Sequence, residues 1–113
     1  MMEVSIQQHN HVAVVVIAGS IDALTADALV TALLAELQQG RTRLVADFSA
    51  VEYTSSAGLR VLLTTLKDAR QRGGDLRLAH IRPNVRQVLE LSGFTSILKC
   101  FPDRDSAIAS YPA

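Results

Sequence analysis

A single α/β domain on a mostly parallel sheet of four to five strands, with elements in the order ββαβαβαβα, follows from three features of the sequence. The chain has 113 residues, the length of one compact domain, and no linker, repeat or low-complexity tract divides it, so residues 1–113 form one unit. Val12 to Ala18 is a continuous, β-branched apolar run, as in a strand covered on both faces. After it, strand-like and helix-like segments alternate, punctuated by Gly40, Gly73-Gly74 and Gly93, and such alternation builds parallel sheets with helices on at least one face.

The elements follow in order. Glu3 to Gln7 alternates polar and apolar residues at period two, and Gln8-His9-Asn10 supplies turn chemistry before Val12 to Ala18, so these two strands form an antiparallel hairpin. The second strand is expected to stop at Gly19-Ser20. Asp22 or Ser20 then caps a helix to about Gln39, with Leu29, Leu33 and Leu37 at four-residue steps and Asp27, Thr31 and Gln38 on another stripe. Gly40 ends it. Thr42 to Phe48, around Leu44-Val45-Ala46, is a central strand with Asp47 near its carboxyl end.

From Ala57, Leu59, Leu62, Leu63 and Leu66 recur at spacings of three and four, an amphipathic helix that Gly73-Gly74 terminates. Leu76 to His80 is the fourth strand. Pro83 suits the first turn of a helix whose inner face is Val85, Val88 and Leu89, closed by Gly93, and Ile97 to Phe101 is a short last strand. Asp103 caps a final helix running through Ser110.

Composition limits function. Hydrophobic residues are 49% of the chain and aromatic ones 4%, so aliphatic packing carries the core. Eleven basic and 11 acidic residues cancel, which gives no bulk attraction to nucleic acid or an acidic membrane. The longest apolar run is far short of a bilayer span and no secretory leader precedes it, so a cytoplasmic protein without membrane insertion is expected. Cys100, the only cysteine, reads as a buried, inert thiol. Basic residues concentrate after Ser56, most densely as Arg70, Arg72, Arg77, Arg82 and Arg86. Interleaving of strands from the two halves would mix that asymmetry into a solvated face; a basic docking patch is the alternative.

The segment most able to carry chemistry is Thr54-Ser55-Ser56, which leads from the third strand into the second helix, at the end of a parallel sheet where function concentrates. As the residue just before the helix, Ser56 can act as a plain cap worth ~1 kcal/mol against Ala. Two details favour more. Gly58 costs a helix interior about 1 kcal/mol relative to Ala, and Ala57-Gly58 leaves bare backbone beside the hydroxyl. A phosphate added there would carry roughly −1.5 to −2 charges and would face unpaired N–H groups at the positive end of the helix dipole.

Other chemistries fit less well. The Gly-x-Ser-x-Gly elbow of esterases lacks its first glycine, Thr54 standing in that place, and although His80 and Asp75 could be drawn as base and orienter, little wall remains for a substrate pocket. His9 and His11 form a His-x-His pair without a further ligand at matching spacing, so no metal site is expected. No phosphate-cradling glycine loop ending in Lys-Ser or Lys-Thr occurs, and no cofactor is expected.

The stretch "DFSAVEYTSSAGLRVLL", from Asp47 to Leu63, resembles the signature of STAS domains of the anti-sigma factor antagonist family. "GSIDALTA" at Gly19 to Ala26 is similar to that family's segment opening its first helix, and "VRQVLELSGF" at Val85 to Phe94 to its third-helix segment. The resemblance implies a non-enzymatic regulator. Unmodified, such a protein binds an anti-sigma factor, a serine kinase of the histidine-kinase-like ATPase type, and frees a sigma factor. The kinase phosphorylates the antagonist at the serine of Asp-Ser followed by Ser, Thr or Ala and then Gly-Leu, and a PP2C-type serine phosphatase reverses this. Ser56 aligns with the acceptor, with Ala57, Gly58 and Leu59 after it, while Ser55 stands where many members have aspartate and is the second choice. The implied partner contact comprises Asp22, Ser55, Ser56, Gly58 and Arg60. Asp22 also has the capping role above. The free chain is expected to be a monomer, and the alternative function is an unswitched STAS adaptor or structural subunit of a lipid-transport or stressosome-like assembly.

Overall fold

The computed structural model describes residues 2–112. Its elements are β1 (Met2–His9), β2 (Val12–Ile21), α1 (Ala26–Gln38), β3 (Arg43–Thr54), α2 (Ser56–Gln71), β4 (Asp75–Ala79), α3 (Pro83–Leu91), β5 (Lys99–Phe101) and α4 (Arg104–Ala109), with a 3-10 turn at Phe94–Ser96. The five strands lie in the order β1-β2-β3-β4-β5, with β1 antiparallel to β2 and the other pairs parallel. This is the ββαβαβαβα order expected from the alternation of segments.

Strand periodicity decides the layers. Ala13, Val15 and Ile17 of β2 point into the main core with Leu29, Leu33 and Leu37 of α1 and Leu62 and Leu66 of α2, to which α3 adds Val85 and Leu89. Val12 and Val14 face the other way, onto Ala107 of α4 and Tyr111. Helices therefore cover both faces, and the Val12 to Ile17 stretch of β2 is wholly apolar because both of its sides are packed. Full burial of each leucine stabilises the fold by about 1.5–3 kcal/mol, so the aliphatic stripes suffice without tryptophan.

β1 runs on through Gln8 and His9, which pair with Ala13 and Val12, so the turn is Asn10-His11 and not Gln8-His9-Asn10. Four further boundaries differ from expectation. β2 does not stop at Gly19-Ser20: Gly19 (φ 105) and a register irregularity carry it to Ile21. β3 runs on to Thr54, so Asp47 lies mid-strand, buried, with Arg104 Nη2 2.7 Å from Oδ2. Local sequence hides this extension because residues beyond Asp47 have no partner in β4, which ends at Ala79 opposite Asp47, and pair only with β2. β5 is only Lys99–Phe101, since Leu98 N–H bonds the Phe94 carbonyl (2.8 Å) and holds Ile97 and Leu98 in the preceding turn. β4 starts at Asp75 and ends before His80, whose left-handed backbone (φ 56) breaks the strand.

The helix ends are chemically explicit. Gly40 (φ 85) closes α1 by donating to the Leu37 carbonyl while Arg41 donates to Glu36, the paired bonds of a Schellman motif. Asp103 Oδ1 accepts the Ser106 N–H at 2.7 Å, the cap expected for α4.

Because strand order follows chain order, the two halves of the sequence sit side by side and their charges are not mixed by interleaving. Neutralisation is instead pairwise: Arg70 and Arg77 share Asp75 (3.0 and 3.1 Å), and Arg72 takes Asp68 (2.8 Å).

Candidate functional site

β2 and β3 end together, Ile21 opposite Thr54, and their two following loops form the site. The Ser55 N–H donates to the Ile21 carbonyl (2.8 Å), which fixes the start of α2 beside the β2–α1 turn. Asp22 and Ser55, remote in sequence, are the first residues beyond that shared edge.

Asp22 does not cap α1, nor does Ser20: the residue before the helix is Thr25, which makes no side-chain cap bond. Asp22 Oδ1 instead accepts from the N–H groups of Leu24 (2.9 Å) and Thr25 (3.2 Å), folding the turn onto itself. Thr25 Oγ1 accepts from Asp22 N–H and donates to the Ser20 carbonyl, both at 2.9 Å. The Asp-x-x-Thr spacing was the available signal for this hub, which helix-cap logic overlooked.

At α2 the register is one residue earlier than expected. Ser55, in extended conformation (φ −94, ψ 179), occupies the position before the helix and Ser56 is its first residue. Neither hydroxyl caps. Ser55 Oγ is buried without a hydrogen-bond partner, whereas Ser56 is exposed. The first intrahelical bond of the turn runs from Leu59 N–H to the Ser55 carbonyl (3.1 Å), so the amides of Ser56, Ala57 and Gly58 precede the helical ladder. No acidic residue lies in this turn, and α2 is 16 residues long, so its positive dipole end is uncompensated at Ser56.

Gly58 is buried against Thr54 and Ile21, with no room for a side chain. Arg60 is exposed one turn after Ser56 on the same helix face and makes no hydrogen bond or ion pair among the described residues. Between α1 and α2 a cavity of about 340 Å³ opens beside it, floored by Ala26, Val30, Ala57 and Val61 and rimmed by Asp27 and Arg60. Thus the structure gathers Asp22, Ser55, Ser56, Gly58 and Arg60 at one end of the sheet. Gly58, however, is turned inward onto Thr54 and Ile21 and the Ser55 hydroxyl is enclosed, so neither is the open surface expected of a partner contact. Asp22, Ser56 and Arg60 supply the accessible side chains. Composition gave no warning of two apolar side chains here: Leu24, 92% exposed in the turn after Asp22, and Tyr53, 52% exposed just before Thr54.

The other candidate groups are not assembled. Asp75 and His80 lie at opposite ends of β4, and Asp75 is engaged by Arg70 and Arg77, so no triad forms with Ser56. His9 ends β1 and His11 lies in the β1–β2 turn, and among the described residues no group of three metal-ligating side chains occurs. Cys100 is half-buried rather than fully buried, and burial pushes its thiol pKa up. Among the described residues, no helix is long and apolar enough to cross a membrane.

Known proteins match this chain in sequence and in fold. The STAS domain profile matches residues 3–107. BtrV of Bordetella bronchiseptica, named as an anti-sigma factor antagonist, is 40% identical over 93 residues, covering 82% of this chain and 80% of its own. An anti-sigma F factor antagonist of Paenibacillus polymyxa is 26% identical over 109 residues, 95% of this chain and 92% of its own. The crystal structure of an anti-sigma factor antagonist from Mycobacterium paratuberculosis superposes with a TM-score of 0.89 at 30% identity, covering 97% of this chain and 93% of that one.

Proposed function

The chain belongs to the STAS domain family, and on that premise we propose that it is an anti-sigma factor antagonist whose grip on its partner is switched off by phosphorylation of Ser56. Unmodified, it binds an anti-sigma factor that is also a serine kinase of the histidine-kinase-like ATPase type. A PP2C-type phosphatase restores the binding form.

The observation that carries the choice of acceptor is the opposite placement of two adjacent hydroxyls: Ser56 is exposed on the first turn of α2, while Ser55 Oγ is buried. A kinase can reach the former without unfolding the turn. Phosphate on Ser56 meets free N–H groups and the positive helix end, so the free protein tolerates it. At an interface the balance reverses. The segments that meet at this end of the sheet also expose Leu24, Tyr53 and Arg60, side chains suited to a partner that is apolar with some negative charge. Pressing a dianion into such a contact without a cation from the partner costs several kcal/mol in desolvation and repulsion. That exceeds the roughly 1.4 kcal/mol that each tenfold of affinity represents.

The experiment is incubation with ATP and the cognate kinase, followed by fragment-ion localisation in the peptide holding Ser55 and Ser56. A single phosphate on Ser56 is expected. An active kinase that leaves this peptide unmodified overturns the switch in favour of an unswitched adaptor, and a phosphate on Ser55 overturns the choice of acceptor.

A further inference from the structure

Of the five arginines in the densest basic group, Arg70, Arg72 and Arg77 have carboxylate partners, and Arg82 and Arg86 have none among the described residues. Arg82 Nε donates to a neutral acceptor, the Ser49 carbonyl, at 2.9 Å. Arg86 N–H bonds the Arg82 carbonyl at 2.8 Å, so these residues are one helical turn apart and share a face. That face looks onto a cavity of about 520 Å³ whose other wall is His80 and whose floor is Ile81, Cys100 and Phe101.

The cavity arises from the uneven strand ends. β4 stops at Ala79, opposite Asp47, while β3 continues to Thr54, leaving a step at the carboxyl end of β4. α3 is tied across the step by the Arg82 bond and by Asn84 Nδ2, which donates to the Glu52 carbonyl at 2.8 Å. His80 sits at its lip in the left-handed region (φ 56), uncommon for a residue with a side chain. Carboxyl ends of parallel strands are where α/β sheets take their ligands.

Among the described residues no carboxylate pairs with either guanidinium. Asp103 Oδ1 accepts the Ser106 N–H (2.7 Å) and Asp47 is ion-paired with Arg104 (2.7 Å), so neither binds Arg82 or Arg86. Glu90, one turn beyond Arg86, makes no ion pair with it.

The geometry points to a second ligand site here, for a small phosphate monoester held by Arg82, Arg86 and His80 with its organic part over Phe101. Two planar guanidinium groups match the oxygens of a tetrahedral dianion, and an ammonium would not supply the same fork. The volume falls in the range of small-molecule sites, and the apolar floor provides for more than a bare ion. This site is separate from Ser56 and does not rest on its phosphorylation.

The test is an amide NMR titration of the full chain at constant ionic strength with phenyl phosphate, inorganic phosphate and potassium chloride. Saturable shifts at Ile81, Arg82, Arg86 and Phe101 are expected with phenyl phosphate, more tightly than with inorganic phosphate. Arg86→Gln should weaken binding by about tenfold or more, Arg86→Lys should recover part of it, and Ser56→Ala should leave it unchanged. Arg86 is exposed, so the unliganded spectrum of each variant should match the parent away from α3. Shifts that do not saturate, that chloride reproduces, that survive Arg86→Gln, or that centre on Ser55 to Gly58 overturn the site. Equal affinity for inorganic phosphate overturns the monoester assignment.

Discussion

The α-carbon of Gly58 packs so tightly on Thr54 that a Cβ at position 58 would run into Thr54 Oγ1 and stand 2.8 Å from Ile21 Cγ2. Gly58→Ala therefore sets two effects against each other. Alanine gains about 1 kcal/mol of helix propensity, while overpacking costs about 1–3 kcal/mol. Ile21 and Thr54 are both buried and Ile21 also anchors the Ser55 amide, so neither can move freely and overpacking should win. The expected outcome is a net loss of up to about 2 kcal/mol in urea denaturation. An alanine variant as stable as the parent would show that α2 can shift away from the sheet.

Ser55 gives an unusual expectation for the position before a helix. Serine there normally stabilises by ~1 kcal/mol through its hydroxyl, yet this hydroxyl makes no cap bond and is buried without a partner. Ser55→Ala removes the desolvation cost and forfeits nothing, so its stability should equal or exceed the parent's by up to about 1 kcal/mol. A loss of about 1 kcal/mol or more in denaturant melts would mean that the side chain caps in solution.

Ser56 is exposed, so its substitutions should act on binding and not on folding. Ser56→Ala should bind the cognate anti-sigma factor as the parent does and abolish phosphate incorporation. Ser56→Asp, carrying one charge beside the α2 amides, should keep the parent's thermal midpoint and bind at least about tenfold more weakly. Calorimetric titration of both variants checks this, and equal affinities would remove charge as the switching principle.

How far the sequence discloses these features depends on whether their cause is local. The leucine stripe of α1, the alternation of β1, the Gly40 stop and the Asp103 cap depend on neighbours a few residues away, and each was legible. The true ends of β2 and β3 were not, because Ile21 and Thr54 are held in strand by each other across the sheet. The start of α2 slipped by one residue for a related reason: the anchor is the Ser55 amide on the Ile21 carbonyl, which no propensity records. Asp47 was placed in the chain, but its partner Arg104 lies 57 residues away. The serine pair was found by its pattern; only packing separates the buried hydroxyl from the exposed one.

That long-range pair yields a pH dependence. Burial alone would push the Asp47 pKa up, but the Ser49 N–H (2.9 Å) and the Arg104 guanidinium (2.7 Å) outweigh it and hold the carboxyl below its ordinary value. A carboxyl depressed in the folded state stabilises the fold above its unfolded pKa, and that contribution is lost as pH falls through the folded one. Unfolding free energy should therefore decline below roughly pH 4. Arg104 also donates to Gln7 Oε1 at 3.0 Å, so the pair fastens α4 to both β1 and β3. Asp47→Asn removes the charge from a site whose arginine partner remains 29% exposed. Water can still solvate that arginine, which moderates the ~3–5 kcal/mol of a fully buried broken pair to about 1–3 kcal/mol at neutral pH. Urea titrations at several pH values should show the variant less stable at pH 7 and flatter in the acid range, and identical acid slopes for both proteins would exclude Asp47 as the group responsible.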